Sequence, residues 1–499
     1  MTELTGLKVT VAGLGPMGRG IVRVFDAAGA DVTVVDVDPQ ATAKGLETIR
    51  SEAAEDGVAL RAVAADALAS SVTGADLFLE AVVERMDVKR ELLATVAAAG
   101  RDDLLVASNT SSLSISEMGR AFGDPSRVVG LHFFNPPTKM RLVEVILGAA
   151  TSEAVAARAD AVVRALGKTP VTCKDSPNFV VNRVCRPLYY EAQLLVAQGL
   201  EPAAVDAVAR GALGHRMGPL QLLDFTGLHT HLASSETALR EFGDPRYRPI
   251  PQVRGLVRGG MTGRAAGRGF YDYAVERPKD ALDRVTSVRE AAAGTVTVTG
   301  PDAGSLLPAL QAGTASEDAP VVVYRCLRAP EDADLGAVRE LARHRDVVVD
   351  SSAGEWLDVL PADVGWVRLH VAPRGGLFAE VVSDPTAHLA GTPGVKDVLE
   401  ALGADSVDVL ALPGLVADRL AHCVVNEATA VVEEGTATRE DVDTALKLAM
   451  NHPRGPFELQ EDAGTATVLA GLWSLTRTTG DPRYRPAQLL RRQAAAVAR

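Results

Sequence analysis

With 499 residues the chain has room for several domains, and 47% hydrophobic against 23% charged residues is ordinary for a globular protein. A net charge of −13 argues against a phosphate-backbone partner such as nucleic acid, which needs clustered Lys and Arg, but not against a small anionic ligand. Four scattered cysteines (Cys173, Cys185, Cys326, Cys423) lack metal-ligand spacing and read as buried free thiols of a reducing compartment. No basic-then-apolar leader and no membrane-length apolar run is present, so a soluble cytoplasmic protein without a membrane partner is expected.

Lys8–Ala12 is a short apolar strand running directly into GLGPMG, and a helical pattern (Ile21, Val22, Val24, Phe25) follows as far as Gly29. A second strand, Val32–Val35, ends at Asp36. A GxGxxG alone says little; between a strand and a helix, and followed by a strand with an acidic end, it predicts a dinucleotide site. Gly13 allows the tight turn, Gly15 lets backbone approach a pyrophosphate, and Gly18 lets helix and strand pack closely. Asp36 can accept from a ribose 2′-hydroxyl and would repel a 2′-phosphate, favouring NAD over NADP.

The alternation continues. Leu77–Ala81 is a strand ending at Val82, Val83 and Glu84, and Leu104–Ser108 ends in Asn109, Thr110, Ser111 and Ser112. Ligands of an open parallel sheet bind beyond the carboxyl ends of its strands, which puts Glu84, Asn109 and Ser111 where chemistry is expected. Ser112 and Ser114 read better as helix caps.

Val128 to Leu147 (VVGLHFFNPPTKMRLVEVIL) reads as two strands around Pro136 and Pro137. Each strand carries one polar residue on an apolar run, His132 and Glu144. A carboxylate on an apolar face needs a partner, and His132 is the candidate. Such a pair is a general base with its orienting group, or a structural buried pair. After Asp175-Ser176-Pro177 the pattern turns helical: about five turns from Phe179 with Asn182 near the start, then Pro202–Leu213 and Gly218–Leu232, closing at Gly263–Tyr273. Spacing alone leaves a dimerisation module and a substrate lid equally open.

The blocks GLGPMG, VVERMDVKRELL, SNTSSLSI, GLHFFNP, LVEVI, DSPNFVVNR, GPLQLLDFTGL and GRGFYDY occur in that order. From about residue 5 to 273 the chain thereby resembles the short-chain L-3-hydroxyacyl-CoA dehydrogenases, including 3-hydroxybutyryl-CoA dehydrogenases. The resemblance implies His132 as catalytic base with Glu144 as its partner, and Ser111 and Asn182 on the reacting oxygen. It implies NAD as cofactor, held by Gly13, Gly15, Met17, Gly18, Asp36, Glu84, Lys89 and Asn109, with Asn135 nearby, and no metal. One departure is Ala265-Ala266, where the family usually has Lys or Arg and Thr.

Residues Ala274–Glu290 read as a linker, and a second copy follows. GDPRYRP stands at Gly243–Pro249 and again at Gly480–Pro486, and Gly218-Pro219 recurs as Gly455-Pro456, both 237 positions on. Leu131-His132 recurs as Leu369-His370 at 238. This is an internal duplication. The copy is reduced: strands are predicted at Thr295–Thr299, Val321–Tyr324 and Val347–Val349, but GPDAGS replaces the glycine triad and DSSAGE replaces SNTSSL. His370 and Glu380 survive two residues closer together. No second dinucleotide site is expected.

The expected architecture is therefore an α/β Rossmann-type domain (residues 1–177) plus an all-α domain (178–275), followed by a reduced α/β domain (290–405) and a second all-α copy (406–499). The resembled family pairs its helical domains across a two-fold dimer interface, so the second copy is expected to supply that partner within the chain. A homo-oligomer of whole chains stays open. The expected activity is NAD-dependent oxidation of the 3-hydroxyl of a (3S)-3-hydroxyacyl-CoA. Two alternatives remain: a dehydrogenase of a free hydroxy acid or sugar acid, and a non-catalytic dinucleotide-binding protein.

Overall fold

The structure, a computed structural model, describes residues 4–55, 60–275, 296–306, 319–361, 364–373, 375–383 and 395–497. Most of the segment read as a linker lies outside the described residues. The chain divides into two compact units, Met1–Arg183 with Glu434–Met450, and Val184–Glu433 with Asn451–Arg499. No helix of the described residues is long and apolar enough to cross a membrane.

The first unit is built on an eight-stranded sheet. Its strands are β1 (Lys8–Ala12), β2 (Asp31–Val35), β3 (Val63–Ala64), β4 (Leu77–Glu80), β5 (Leu105–Ser108), β6 (Val128–Phe133), β7 (Leu142–Leu147) and β8 (Thr169–Lys174). The order is β3-β2-β1-β4-β5-β6-β7-β8. β7 runs antiparallel to β6 and β8 parallel to β7; the other neighbours are parallel. β4 and β5 are buried along their whole length, as central strands covered on both faces must be. The chain leaves β1 in one direction to β2 and β3, then returns to β4 on its other side, so the crevice at the β1 and β4 ends is the topological switch point.

A helix expected with the second helical copy also belongs to this unit. Arg439–Met450 packs against β7 and β8 through a face containing Val442, Ala445 and Leu446. Just before it, the Thr436 carbonyl accepts from Lys174 N–H at 2.9 Å.

The second unit contains a six-stranded sheet. Its strands are β9 (Val296–Thr299), β10 (Val321–Arg325), β11 (Asp346–Asp350), β12 (Gly365–Val371), β13 (Leu377–Val382) and β14 (Asp405–Val409), in the order β14-β13-β12-β11-β10-β9. Only β12 and β13 pair antiparallel. This repeats the run β1-β4-β5-β6-β7-β8; among the described residues nothing stands for β2 and β3. The strand that ends in Asp36 thus has no described counterpart in the copy.

Around this sheet lie helices of both helical copies. The single helix expected from Phe179 is split into Val181–Val184 and Arg186–Ala197. Pro187 has no N–H to carry the ladder across, and a new helix starts there instead. Arg186–Ala197 packs against its duplicate, Ala417–Glu433. Tyr247 Oη donates to Glu427 Oε1 at 2.5 Å, and Tyr484 Oη to Glu191 Oε2 at 2.9 Å. His215 and His452, counterparts in the duplication, stack at 4.0 Å between ring centroids and 7° between planes. Residues meeting their own duplicates are the mark of a two-fold relation, here inside one chain.

Candidate active site

The Gly-rich turn has the shape a dinucleotide requires. Gly13 has φ +90° and its Cβ position lies 2.8 Å from the Ala81 carbonyl, so a side chain there would strike β4's exit loop. A Cβ at Gly18 would fall 1.8 Å from the Gly13 carbonyl oxygen. At Gly15, by contrast, a Cβ would meet nothing within 4 Å, which is the open approach a pyrophosphate needs. Gly15 caps helix Pro16–Ala27, whose N-terminal N–H groups favour an anion. The turn opens on a crevice of about 770 Å³ whose lining includes Met17, Asp36, Val37, Leu68 and Val83. Asp36 also acts within the protein: its Oδ2 accepts from Leu14 N–H at 2.7 Å, tying β2's end to the turn. The residues present fit NAD.

Beneath the crevice's β4–β5 edge is a charged stack. Glu80 is fully buried at the end of β4; both its carboxylate oxygens accept from Lys89 Nζ at 2.7 Å, and one accepts from Ser108 Oγ. Lys89 is itself buried and lies 3.5 Å from Glu84. Glu84 Oε1 collects Thr110 Oγ1 (2.7 Å), Ser111 N–H (2.9 Å), Ser111 Oγ (3.3 Å) and Ser112 N–H (3.2 Å). Burial pushes its pKa up, but the Lys89 charge and these donors outweigh that and hold the carboxyl below its ordinary value. Lys89 and Glu84, both expected at the cofactor, thus organise the loop that presents Ser111. Ser112 is not the cap it was read as; Ser114 is, accepting from Glu117 N–H at 3.2 Å. Asn109 Oδ1 accepts from Phe133 N–H at 2.8 Å and so ties this loop to β6. Glu80 and Ser108 were not among the residues expected from sequence. A carboxylate closing an apolar LFLE strand with a Lys nine residues on was the signal.

The pair on β6 and β7 is formed. His132 and Glu144 stand directly opposite each other in the antiparallel register, and His132 Nδ1 lies 2.7 Å from Glu144 Oε2. Both side chains are buried, at 8% and 0% exposure, with Phe134 and Phe179 rings beside the imidazole at 4.5 and 6.0 Å. The other carboxylate oxygen accepts from Val180 N–H at 3.1 Å and Val181 N–H at 2.8 Å. Those successive N–H groups reach one oxygen because Asn178 and Phe179 take φ +63° and +52°, left-handed backbone that Asn tolerates and a bulky Phe disfavours. Asn182 follows on the same short helix, half-buried, and Asn135 lies exposed in the turn between β6 and β7. With Nδ1 engaged by a carboxylate, Nε2 is the nitrogen left to meet a substrate hydroxyl.

The copy keeps the clamp and loses the alignment. Glu380 accepts from Val416 N–H (2.7 Å) and Ala417 N–H (3.1 Å), and Leu415 repeats the positive φ of Phe179 at +48°. Across the ladder, however, Glu380 faces Arg368 and His370 faces Phe378. His370 bonds Glu380 through Nε2, at 2.8 Å, which engages the nitrogen that stays available in His132. Asp418 stands where the first copy has Asn182, and it takes Arg368 Nε at 2.7 Å and Ser352 Oγ at 2.5 Å. Burial alone would raise the Asp418 pKa, but the Arg368 charge outweighs it and holds the carboxyl far below its usual range. An ion network has filled this site.

The family model described as 3-hydroxyacyl-CoA dehydrogenase, NAD binding domain, matches residues 8–176. The model for the 3-hydroxyacyl-CoA dehydrogenase C-terminal domain matches twice, at 179–273 and 414–497. The chain is 31% identical to the 3-hydroxyadipyl-CoA dehydrogenase of Escherichia coli (strain K12), over 97% of each chain. It is 39% identical to a probable 3-hydroxybutyryl-CoA dehydrogenase of Bacillus subtilis, covering 53% of this chain and 97% of that one. The crystal structure of a 3-hydroxybutyryl-CoA dehydrogenase from Escherichia coli K12 superposes with a TM-score of 0.79 at 28% identity, over 99% of both chains.

Proposed function

The chain belongs to the 3-hydroxyacyl-CoA dehydrogenase family of NAD-dependent oxidoreductases, and from that premise we propose that it converts a (3S)-3-hydroxyacyl-CoA reversibly to the 3-oxoacyl-CoA with His132 as base. NAD bound at the Gly-rich turn supplies the hydride acceptor for C3. His132 Nε2 takes the 3-hydroxyl proton as the carbonyl forms. Glu144 orients the ring through Nδ1 and stabilises the imidazolium. Ser111 and Asn182 hold the C3 oxygen in line. The observation that carries this reading is the buried 2.7 Å His132–Glu144 contact, set in register by two strands and clamped by two backbone N–H groups.

The four-part organisation (1–177, 178–275, 290–405, 406–499) belongs to the same proposal, with the second helical copy standing in for a partner subunit. The reciprocal tyrosine–glutamate bonds and the His215–His452 stack support it.

Reduction of acetoacetyl-CoA, followed by NADH absorbance, tests the reaction. His132→Ala should lower the rate by about 10²–10⁴; a near-normal rate refutes the base. A panel of short, long and dicarboxylic 3-hydroxyacyl-CoAs fixes the substrate, the dicarboxylic arm being included because the relative matched over 97% of its length bears that name. Turnover of free hydroxy acids alone would favour the alternative on the same fold.

A further inference from the structure

Resting on that reading, we propose that Glu434, contributed by the second helical copy, is a positioning residue for the His132–Glu144 pair. Glu434 lies far along the chain from the proposed site, and no motif points to it. Yet both its carboxylate oxygens take the Arg183 guanidinium, Oε2 from Nη1 at 2.6 Å and Oε1 from Nη2 at 2.7 Å. Arg183 is fully buried and Glu434 about half so. A two-pronged Arg–carboxylate contact fixes direction as well as distance.

What Arg183 is attached to gives the contact its meaning. It lies in the one-turn helix Val181–Val184. The N–H groups at and just before the start of that helix hold Glu144 Oε1, and Glu144 Oε2 holds His132 Nδ1. So short a helix has little stability of its own, and Phe179 before it sits in a strained conformation that its surroundings must enforce. Glu434 grips this turn from outside. A second arm comes from the same segment: the Thr436 carbonyl takes Lys174 N–H at the end of β8, and helix Arg439–Met450 lies against β7 and β8. The two arms converge on Glu144, one through its backbone donors and one through its strand.

The duplication provides an internal comparison. Arg419 is the counterpart of Arg183, and Gln198 is the counterpart of Glu434. Arg419 Nη1 donates to Gln198 Oε1 at 3.0 Å. Arg419 draws its charge partner from Glu191 instead, through Nε at 3.0 Å, so at the position of Glu434 the copy with the misaligned His has a neutral single-point contact where the copy with the aligned pair has a charged two-point one. Glu434→Gln therefore recreates in the first copy the contact found in the second.

The test uses the full chain carrying Glu434→Gln or Glu434→Ala. Three quantities are read: kcat with acetoacetyl-CoA, the NADH dissociation constant by fluorescence, and the downfield imidazole N–H resonance assigned by its loss in His132→Gln. Expected are a fall in kcat of about 10- to 100-fold for Glu434→Ala, with Glu434→Gln between it and the parent, and a displaced or broadened resonance. NADH binding stays unchanged, because the Gly-rich turn does not depend on this contact. An unchanged kcat with an unchanged resonance overturns the proposal. So does a loss of kcat matched by equal weakening of NADH binding, which would report general loosening. If the parent chain turns over no 3-hydroxyacyl-CoA, the substrate reading fails on its own, and the resonance still decides the role of Glu434.

Discussion

Replacing Glu144 by Gln probes the proposed base through its geometry. Val180 and Val181 both point N–H groups at Oε1, so the amide oxygen of the replacement must take that side. Its NH₂ then faces His132 Nδ1, which has to become an acceptor, and the ring proton moves to Nε2. An imidazole protonated at Nε2 cannot accept the substrate's hydroxyl proton there. The whole general-base contribution of about 10²–10⁴ is then lost, or about 2.7–5.4 kcal/mol of transition-state stabilisation at 1.36 kcal/mol per decade. The fold loses far less. Both backbone bonds survive, and exchanging one bond to a charged group costs about 1–3 kcal/mol. Glu144→Ala would be a poorer probe, because it strands two buried N–H groups at about 1–3 kcal/mol each. Steady-state oxidation of (3S)-3-hydroxybutyryl-CoA by NAD is the assay, with NADH fluorescence to confirm an intact crevice. A Glu144→Gln enzyme retaining more than about a tenth of the parent kcat would refute the tautomer argument.

Four further outcomes follow. Burial holds His452 down at about 4 and His215 well below its ordinary value, so both are neutral when folded, whereas the unfolded chain protonates each near 6.5. Stability therefore rises with pH between about 4 and 6.5 and falls on acidification: His452 alone removes about 2 kcal/mol from pH 7 to 5, seen in urea midpoints, and His452→Phe should flatten that slope. Arg368→Met leaves Asp418 buried without its cation, while Asp350 keeps Arg325, and should lower unfolding stability by about 3–5 kcal/mol, whereas His370→Ala leaves turnover unchanged; a large activity loss in His370→Ala would mean the second pair reacts. Deleting Leu410–Arg499 uncovers the helix Arg186–Ala197 and removes Glu434 with Arg439–Met450. The fragment should be insoluble or self-dimerising by size-exclusion chromatography, and a stable active monomer would contradict the pairing.

The first sheet and its crevice were legible because each of their signals is local. A strand running into GLGPMG and a strand ending in Asp36 specify backbone path, turn and acceptor within a few dozen residues. The His132–Glu144 contact was legible because two apolar strands around one turn leave few registers, and one of them pairs the only polar residues. What escaped was long-range or electrostatic. Glu80 looked like the end of a strand until Lys89 turned inward to meet it. The tie that Asn109 Oδ1 makes to β6 was not foreseen beside its expected place at the cofactor. Nothing in the pattern Arg439–Met450 distinguishes a helix that packs on its own copy from one that packs on β7 and β8. That choice is made by which apolar faces remain uncovered after both copies fold.

The decay of the second copy has a structural logic. Shortening the β12–β13 turn by two residues shifts which residue faces the glutamate, so Arg368 occupies the place that His132 holds in β6. An arginine there introduces a buried charge that a neutral Asn at the next position could not balance; Asp418 does, and Asp350 at the end of β11 adds a second carboxylate. Once Arg368, Asp418 and Asp350 are mutually satisfied, each is costly to remove alone. The glutamate clamp survives because its role there is structural: Glu380 still fixes the start of the helix Ala417–Glu433 through two N–H groups. That helix is the one facing Arg186–Ala197. Selection on a helix pairing can therefore preserve the skeleton of an active site after its register and its glycine triad are gone.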